Sequence, residues 1–322
     1  MNRQIKWGIL GYAGIAKSRV IPAMLRAEHA TAYAIASRSD GKLKEAVERF
    51  GFIKTYHSYE ALLQDPDIDA VYIPLPNALH KEWTIKAARA GKHILCEKPL
   101  ALKEEDALKM IQTCKENGVK LMEAFMYRFS SRSRKIKELL DTGIIGDVKH
   151  IHSSHRFLLE DKNNVRVNAE LGGGSLRDVG CYPVNMVGMV LNDYPEEICA
   201  LKTVVQGVDF TLSAVLKYKN GIMASIHSGF DSRSAQITEI DGTKGSMIVK
   251  DSFIDQDEIN TPIQVVLEDG SDTEYLLEPS RQYDAEVEEL SMAILEKREP
   301  ELNLEETLRN IRLIEELLEK AK

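Results

Sequence analysis

Residues 5–16, IKWGILGYAGIA, run from an apolar strand through a turn of small residues toward a helix. A turn that receives the pyrophosphate of a dinucleotide reads G-x-G-x-x-G/A between a strand and a helix, because the backbone must turn tightly and then approach the phosphates. Aligned from Gly11, this chain reads G-x-A-x-x-A, followed residue by residue as Gly11, Ala13, Gly14, Ile15 and Ala16. Ala13 stands where the closest approach is needed, and Gly14 beside it restores part of the space. An ordinary tight turn between strand and helix would read the same way, so the surroundings decide.

Those surroundings alternate. Apolar runs at 5–10, 31–37, 70–73, 93–96 and 119–122 read as buried strands, with amphipathic helices at 42–50, 59–63, 81–90 and 104–116 between them. Such alternation implies βαβ units and a doubly wound parallel sheet with helices on both faces. Gly51, Gly91 and Gly118 are placed to close three of the helices in a left-handed conformation. Past residue 123 the pattern changes to a helix at 133–142, a strand at 148–157, the loop Gly172-Gly173-Gly174 and another helix. From 198 to 248 come strands separated by Gln206-Gly207, Lys219-Asn220-Gly221 and Asp241-Gly242. Connections this short predict antiparallel pairing of adjacent strands. Helices at 282–296 and 304–320 finish the chain, and the acidic tract 251–258 reads as a solvated loop. The expectation is an α/β dinucleotide-binding domain over 1–122, then over 123–322 an α+β domain with a largely antiparallel open sheet.

The 322 residues are 43% hydrophobic and 29% charged with a net charge of -8, which speaks against a basic nucleic-acid surface. Cys96, Cys114, Cys181 and Cys199 form no C-x-x-C pair, so neither a zinc ribbon nor a disulfide framework is expected. No apolar run is long enough to span a membrane, and the N-terminal residues lack a secretory pattern, so the expected location is the cytoplasm. His150, His152 and His155 invite a metal reading. On a strand, however, 150 and 152 share one face and 155 takes the other, and no carboxylate or thiolate completes a set. No metal is expected.

Ligands of open parallel sheets bind beyond the carboxyl ends of the strands. Four segments meet that rule. Residues 11–16 follow the first strand. Ser37 and Arg38 follow the second, where an NAD site would carry an acid for the ribose 2′-hydroxyl; a hydroxyl and a guanidinium suit a 2′-phosphate, so NADP is favoured. Asp40, two residues on, leaves NAD open, and a solvated turn remains the plain alternative for Arg38. Next, Leu75, Pro76 and Asn77 lead to His80, with Asn77 placed to cap the following helix. His80 is either a cofactor-side residue or a packing one. Last, the run ILCEKPL at 94–100 ends in Glu97 and Lys98, and Pro99 removes a donor and holds Lys98 extended.

The motifs GILGYAGIA, YIPLPNALH and CEKPL, with EAFMYRF at 123–129 and GGGSLRDVGCYP at 172–183, resemble the glucose–fructose oxidoreductase / inositol dehydrogenase (Gfo/Idh/MocA) family over essentially the whole chain. The resemblance implies a Rossmann domain followed by a domain whose open sheet carries substrate contacts and often the oligomer interface, hence a homodimer or homotetramer. It also implies hydride transfer between a nicotinamide and a hydroxyl or carbonyl carbon of a sugar, cyclitol or related diol. The family's E-K-P lysine falls on Lys98. The D-x-G-x-H segment of the inositol dehydrogenases falls on 178–182, where Tyr182 replaces histidine, as in the branch resembling dihydrodiol and sugar dehydrogenases. Ser130-Ser131 stand where that branch often has histidine and proline. Arg128 and Arg166 look like substrate-side positions, though either would also pass as a surface arginine.

The chemistry follows from these residues. A phenol titrates near pH 10 when unperturbed, too high for a base at neutral pH, and a nearby ammonium would lower it. Tyr182 is the expected acid/base and Lys98 its electrostatic and proton-relay partner, with a packed aromatic as the alternative for Tyr182. Asp178 lies four residues earlier on the same helical face and would bind a substrate hydroxyl or hold Lys98. A non-catalytic dinucleotide sensor would need residues 11–16 and Arg38, but not Lys98 together with Tyr182.

Overall fold

The computed structural model describes residues 3–254, 261–278 and 280–322. In the first compact unit, β1 (Ile5–Leu10), β2 (Ala30–Ala36), β3 (Lys54–Tyr56), β4 (Ala70–Ile73), β5 (His93–Glu97) and β6 (Leu121–Ala124) form one sheet in the order β3-β2-β1-β4-β5-β6. Every neighbouring pair is parallel. The order reverses beside β1, which makes the switch point where such sheets bind ligands. β1 is central because Ile5, Trp7, Ile9 and Leu10 are all fully buried, as a strand covered on both faces requires. Helices α1 (Ile21–Arg26), α2 (Asp40–Phe50), α3 (Tyr59–Leu63), α4 (His80–Arg89) and α5 (Glu104–Glu116) intervene. The Ser39 hydroxyl caps α2, and Leu43 and Ala46 face inward from it. β3 was not expected: its Lys-Thr-Tyr edge carries no apolar run to announce it.

The second unit contains α6 (Ser131–Asp141), β7 (Val148–Leu158), α7 (Cys181–Leu191), β8 (Glu197–Val205), β9 (Val208–Lys217), β10 (Met223–Gly229), β11 (Asp231–Gly242), β12 (Gly245–Lys250), β13 (Ile263–Leu267) and β14 (Asp272–Tyr275). Its eight strands run β14-β13-β12-β11-β7-β10-β9-β8. All neighbours are antiparallel except β10 and β7. The expectation that adjacent strands pair therefore fails once. β10 and β11 are joined by Phe230 alone, too short a link for a two-residue hairpin. The chain instead passes the end of β7, where the Phe230 carbonyl accepts the Leu159 amide at 2.8 Å, and β7 lies between the two strands. The buried Phe230 ring fixes the crossing against Phe157 and Phe210. Of the acidic tract, residues 255–258 lie outside the described residues.

Helices α8 (Gln282–Leu295) and α9 (Leu304–Lys320) close the chain. The first unit comprises Met1–Met126 and Gln282–Leu308, the second Tyr127–Arg281 and Arg309–Lys322. This differs from the expected division at 122/123, which gave α8 to the second domain. α8 belongs with the first sheet because the Trp7 indole donates to Ser291 Oγ at 3.2 Å, and the Arg26 guanidinium forks onto Asp284 at 2.7 and 2.5 Å.

Candidate active site

In the first unit, the candidate residues lie at the carboxyl ends of four strands. Gly11 follows β1 with φ at 103°, in the left-handed region, and a Cβ there would stand 3.1 Å from the Tyr59 hydroxyl and 3.4 Å from Leu75 Cδ2. Only glycine fits that conformation comfortably. Helical structure starts at Gly14, whose absent side chain faces open space, and the amides of a first helical turn have no partner within the helix. This cradle fits a pyrophosphate, with Ala13 half-buried beside it.

Beyond β2, Ser37 is buried and its hydroxyl accepts the Ser39 amide at 3.2 Å, while Arg38 is exposed. Asp40 is the first residue of α2 and faces His57 Nδ1 at 3.2 Å. An acid in that first turn serves the helix end. Beyond β4, Asn77 opens a 3-10 turn (Asn77–Leu79) that leads into α4, and Leu79 takes the N-cap position of that helix.

The turn after β5 is held on three sides. Glu97 Oε1 accepts the Tyr72 hydroxyl at 2.5 Å and Oε2 the Lys98 amide at 3.3 Å. The Pro99 carbonyl lies 2.9 Å from His80 Nδ1, and His80 Nε2 lies 2.8 Å from the Leu75 carbonyl. The Leu100 amide donates to Glu123 Oε1 at 2.8 Å. Burial pushes the Glu123 carboxyl up to about 7 and that of the wholly buried Glu286, beside Glu97, well above the carboxylate range. Neither Glu286 oxygen has a hydrogen-bond partner among the described residues. Sequence reasoning assigned Glu123 and Glu286 no role; nothing in their spacing marks a buried acid.

In the second unit, a π-helical turn (Leu176–Gly180) runs into α7 and carries Asp178 and Tyr182 on one helical run. Buried Asp209 accepts the Leu176 amide at 2.7 Å and the Ser175 hydroxyl at 2.9 Å, fixing the start of that run. A Cβ on Gly174 would overlap this carboxylate, and one on Gly173 the Arg166 carbonyl. The glycine loop thus lies flat against the turn bearing Arg166, whose Nε donates to Asp178 Oδ2 at 2.6 Å. Arg128 Nη1 donates to Asn185 Oδ1 at 3.2 Å, and the Tyr127 hydroxyl donates to the same atom at 2.5 Å. The Tyr182 ring is 5% exposed, with ring centroids of His155, Phe253 and Tyr127 at 5.3, 5.4 and 5.9 Å. Asn185, three residues past Tyr182 on the same helix, was legible by that spacing and was passed over.

Among the described residues no group of three or more His, Cys, Asp or Glu could hold a metal ion, and no helix is long and apolar enough to cross a membrane. His150 Nδ1 faces Asp241 Oδ2 at 3.2 Å and His152 Nδ1 faces Ser225 Oγ at 3.0 Å.

A parallel sheet with a glycine turn at its switch point and a braced lysine, alongside a unit with an open mixed sheet, defines a dinucleotide-dependent oxidoreductase. The family models agree: the "oxidoreductase family, NAD-binding Rossmann fold" matches residues 5–125, and the GFO/IDH/MocA C-terminal domain matches 133–248. The chain is 37% identical to D-xylose 1-dehydrogenase (NADP(+)) 2 of Haloferax volcanii, over 98% of this chain and 97% of that protein. It is also 37% identical to trans-1,2-dihydrobenzene-1,2-diol dehydrogenase of Xenopus tropicalis, over 74% of this chain and 73% of that one. A 3-ketoreductase from Actinomadura kijaniata, crystallised with NADP and TDP-benzene, superposes with a TM-score of 0.95 at 30% identity, covering 99% of this chain and 98% of that chain. This chain belongs to the Gfo/Idh/MocA oxidoreductase family.

Proposed function

We propose that the chain transfers a hydride between NADP(H) and the secondary alcohol or carbonyl carbon of a sugar, cyclitol or related diol. The observation that carries this reading is the Lys98 turn, an ammonium at the carboxyl end of β5 whose flanking residues are braced by Tyr72, His80 and Glu123. The relatives support it, since one is a D-xylose 1-dehydrogenase named for NADP and another is a 3-ketoreductase crystallised with NADP and TDP-benzene.

Residues 11–16 would hold the pyrophosphate and Ser37 and Arg38 the 2′-phosphate. Leu75, Pro76, Asn77, His80 and Glu97 would frame the nicotinamide side. The bound nicotinamide supplies the hydride acceptor in oxidation and the donor in reduction. As hydride leaves the carbinol carbon, the hydroxyl proton passes to the Tyr182 phenolate, which the Lys98 ammonium would stabilise along with the oxygen anion that develops on the substrate. In reduction the same pair gives the proton back. Asp178, held by Arg166, and Arg128, held by Asn185, orient the remaining substrate hydroxyls.

A cytoplasmic homodimer or homotetramer completes the proposal. Its support is the outer face of β8 and β9, where Leu201 is 62% and Val215 46% exposed on neighbouring strands. The test of function is a panel of aldoses (D-xylose among them), cyclitols and diols with NADP and NAD, followed by nicotinamide absorbance. Turnover with NADP on one class is expected. Tight dinucleotide binding with no turnover on any compound would make the chain a sensor instead.

A further inference from the structure

His80 stands between two loops that the proposed reaction needs at once. It is the first residue of α4 and its side chain is wholly buried. One ring nitrogen meets the carbonyl of Pro99, next to Lys98, and the other meets the carbonyl of Leu75. Leu75 in turn packs beside the glycine turn, its Cδ2 lying 3.4 Å from where a Gly11 Cβ would be. A single ring therefore spans from the dinucleotide loops to the lysine turn.

Both partners are acceptors, so each asks the ring for an N–H. A neutral imidazole has one, and its tautomer decides which carbonyl is answered. Burial presses the ring toward that neutral form, and the Lys98 ammonium adds to it, while the two carbonyls oppose. Leaving either carbonyl unanswered in a buried place is costly. The ring cannot be replaced by an apolar side chain of similar size without releasing both loops.

We propose that His80 is a positioning residue that couples the dinucleotide loop at Leu75 to the Lys98 turn, the Nδ1 edge setting the lysine turn and the Nε2 edge setting the loop. The proposal rests on the reading of Lys98 as an active-site residue. It makes the two ring positions separable. An asparagine amide nitrogen is as many bonds from Cβ as Nδ1, and a glutamine amide nitrogen as many as Nε2. His80→Asn therefore keeps a donor for Pro99, and His80→Gln keeps one for Leu75.

The experiment measures NADPH affinity by nicotinamide fluorescence, and turnover at saturating dinucleotide on the compound the panel selects, for both variants. Crossed outcomes are expected: the larger loss in His80→Asn is in NADPH affinity, and the larger loss in His80→Gln is in turnover, which falls on the order of 10²-fold through a misplaced lysine. In a Lys98→Ala background the turnover loss from His80→Gln should vanish, since the two act through one group. Equal losses in both variants and both readouts would overturn the coupling and leave His80 a packing residue. Failure of the active-site reading looks different, because Lys98→Ala alone would then turn over normally.

Discussion

Glu123 should make the first unit's stability depend on pH, and Glu123→Gln should remove its share of that dependence, leaving the part due to Glu286. The carboxyl is fully buried, and burial raises it from an ordinary 4.5 to about 7, against the opposing pull of the Leu100 amide and the Lys98 ammonium. The folded chain thus binds this proton more tightly than the unfolded chain. The resulting stability is complete below the unfolded value and is lost as pH rises through 7. At about 1.4 kcal/mol per pH unit, the gap corresponds to roughly 3 kcal/mol. Glutamine keeps an acceptor for the Leu100 amide and has no proton to lose. Urea unfolding at pH 5 and pH 8 reads the effect, with tryptophan fluorescence as the signal, because Trp7 and Trp83 both lie in the first unit. The stability of the variant relative to wild type should rise by about 2–3 kcal/mol between the two pH values. A difference that stays constant would show that Glu123 is ionised in the folded protein throughout, and the account of its burial would be wrong.

Arg38→Ala should weaken NADP by about 1.5–3 kcal/mol and leave NAD nearly untouched, since one charge-assisted phosphate contact is lost; equal losses in binding titrations would remove Arg38 from the 2′-phosphate. Activity should survive exhaustive dialysis against a chelator, and a loss that zinc restores would return the histidines of β7 to consideration. Leu201→Glu places a charge on the exposed face of β8 and should lower the mass measured by light scattering if that face joins copies; an unchanged oligomer would put the interface elsewhere.

How much of this was legible follows from burial. β1 and β4 appear where the apolar runs placed them, because a strand covered on both faces must be apolar throughout. The polar edge strand β3 sends no such signal. The crossing at Phe230 was invisible because a one-residue link says nothing about which strand comes between. α8 was assigned by its place in the chain, whereas its allegiance is decided by Trp7 and Arg26, more than 250 residues away. The site divides in the same way. The segments after β1, β2, β4 and β5 lie at carboxyl ends of the parallel sheet, where the alternating pattern placed them, and their part in the site is the proposal made above. Asp209, which fixes the run bearing Tyr182, sits 33 residues from the amide it accepts, and periodicity carries no information over that distance.

The central claim is that Lys98 and Tyr182 perform the proton chemistry. Its most direct test is turnover of Lys98→Ala and Tyr182→Phe at saturating dinucleotide and substrate, with NADPH affinity measured alongside. Each variant should bind the dinucleotide yet turn over about 10²–10⁴-fold more slowly, and the double variant should be little worse than the poorer single one. Normal turnover by Lys98→Ala under those conditions would contradict the account.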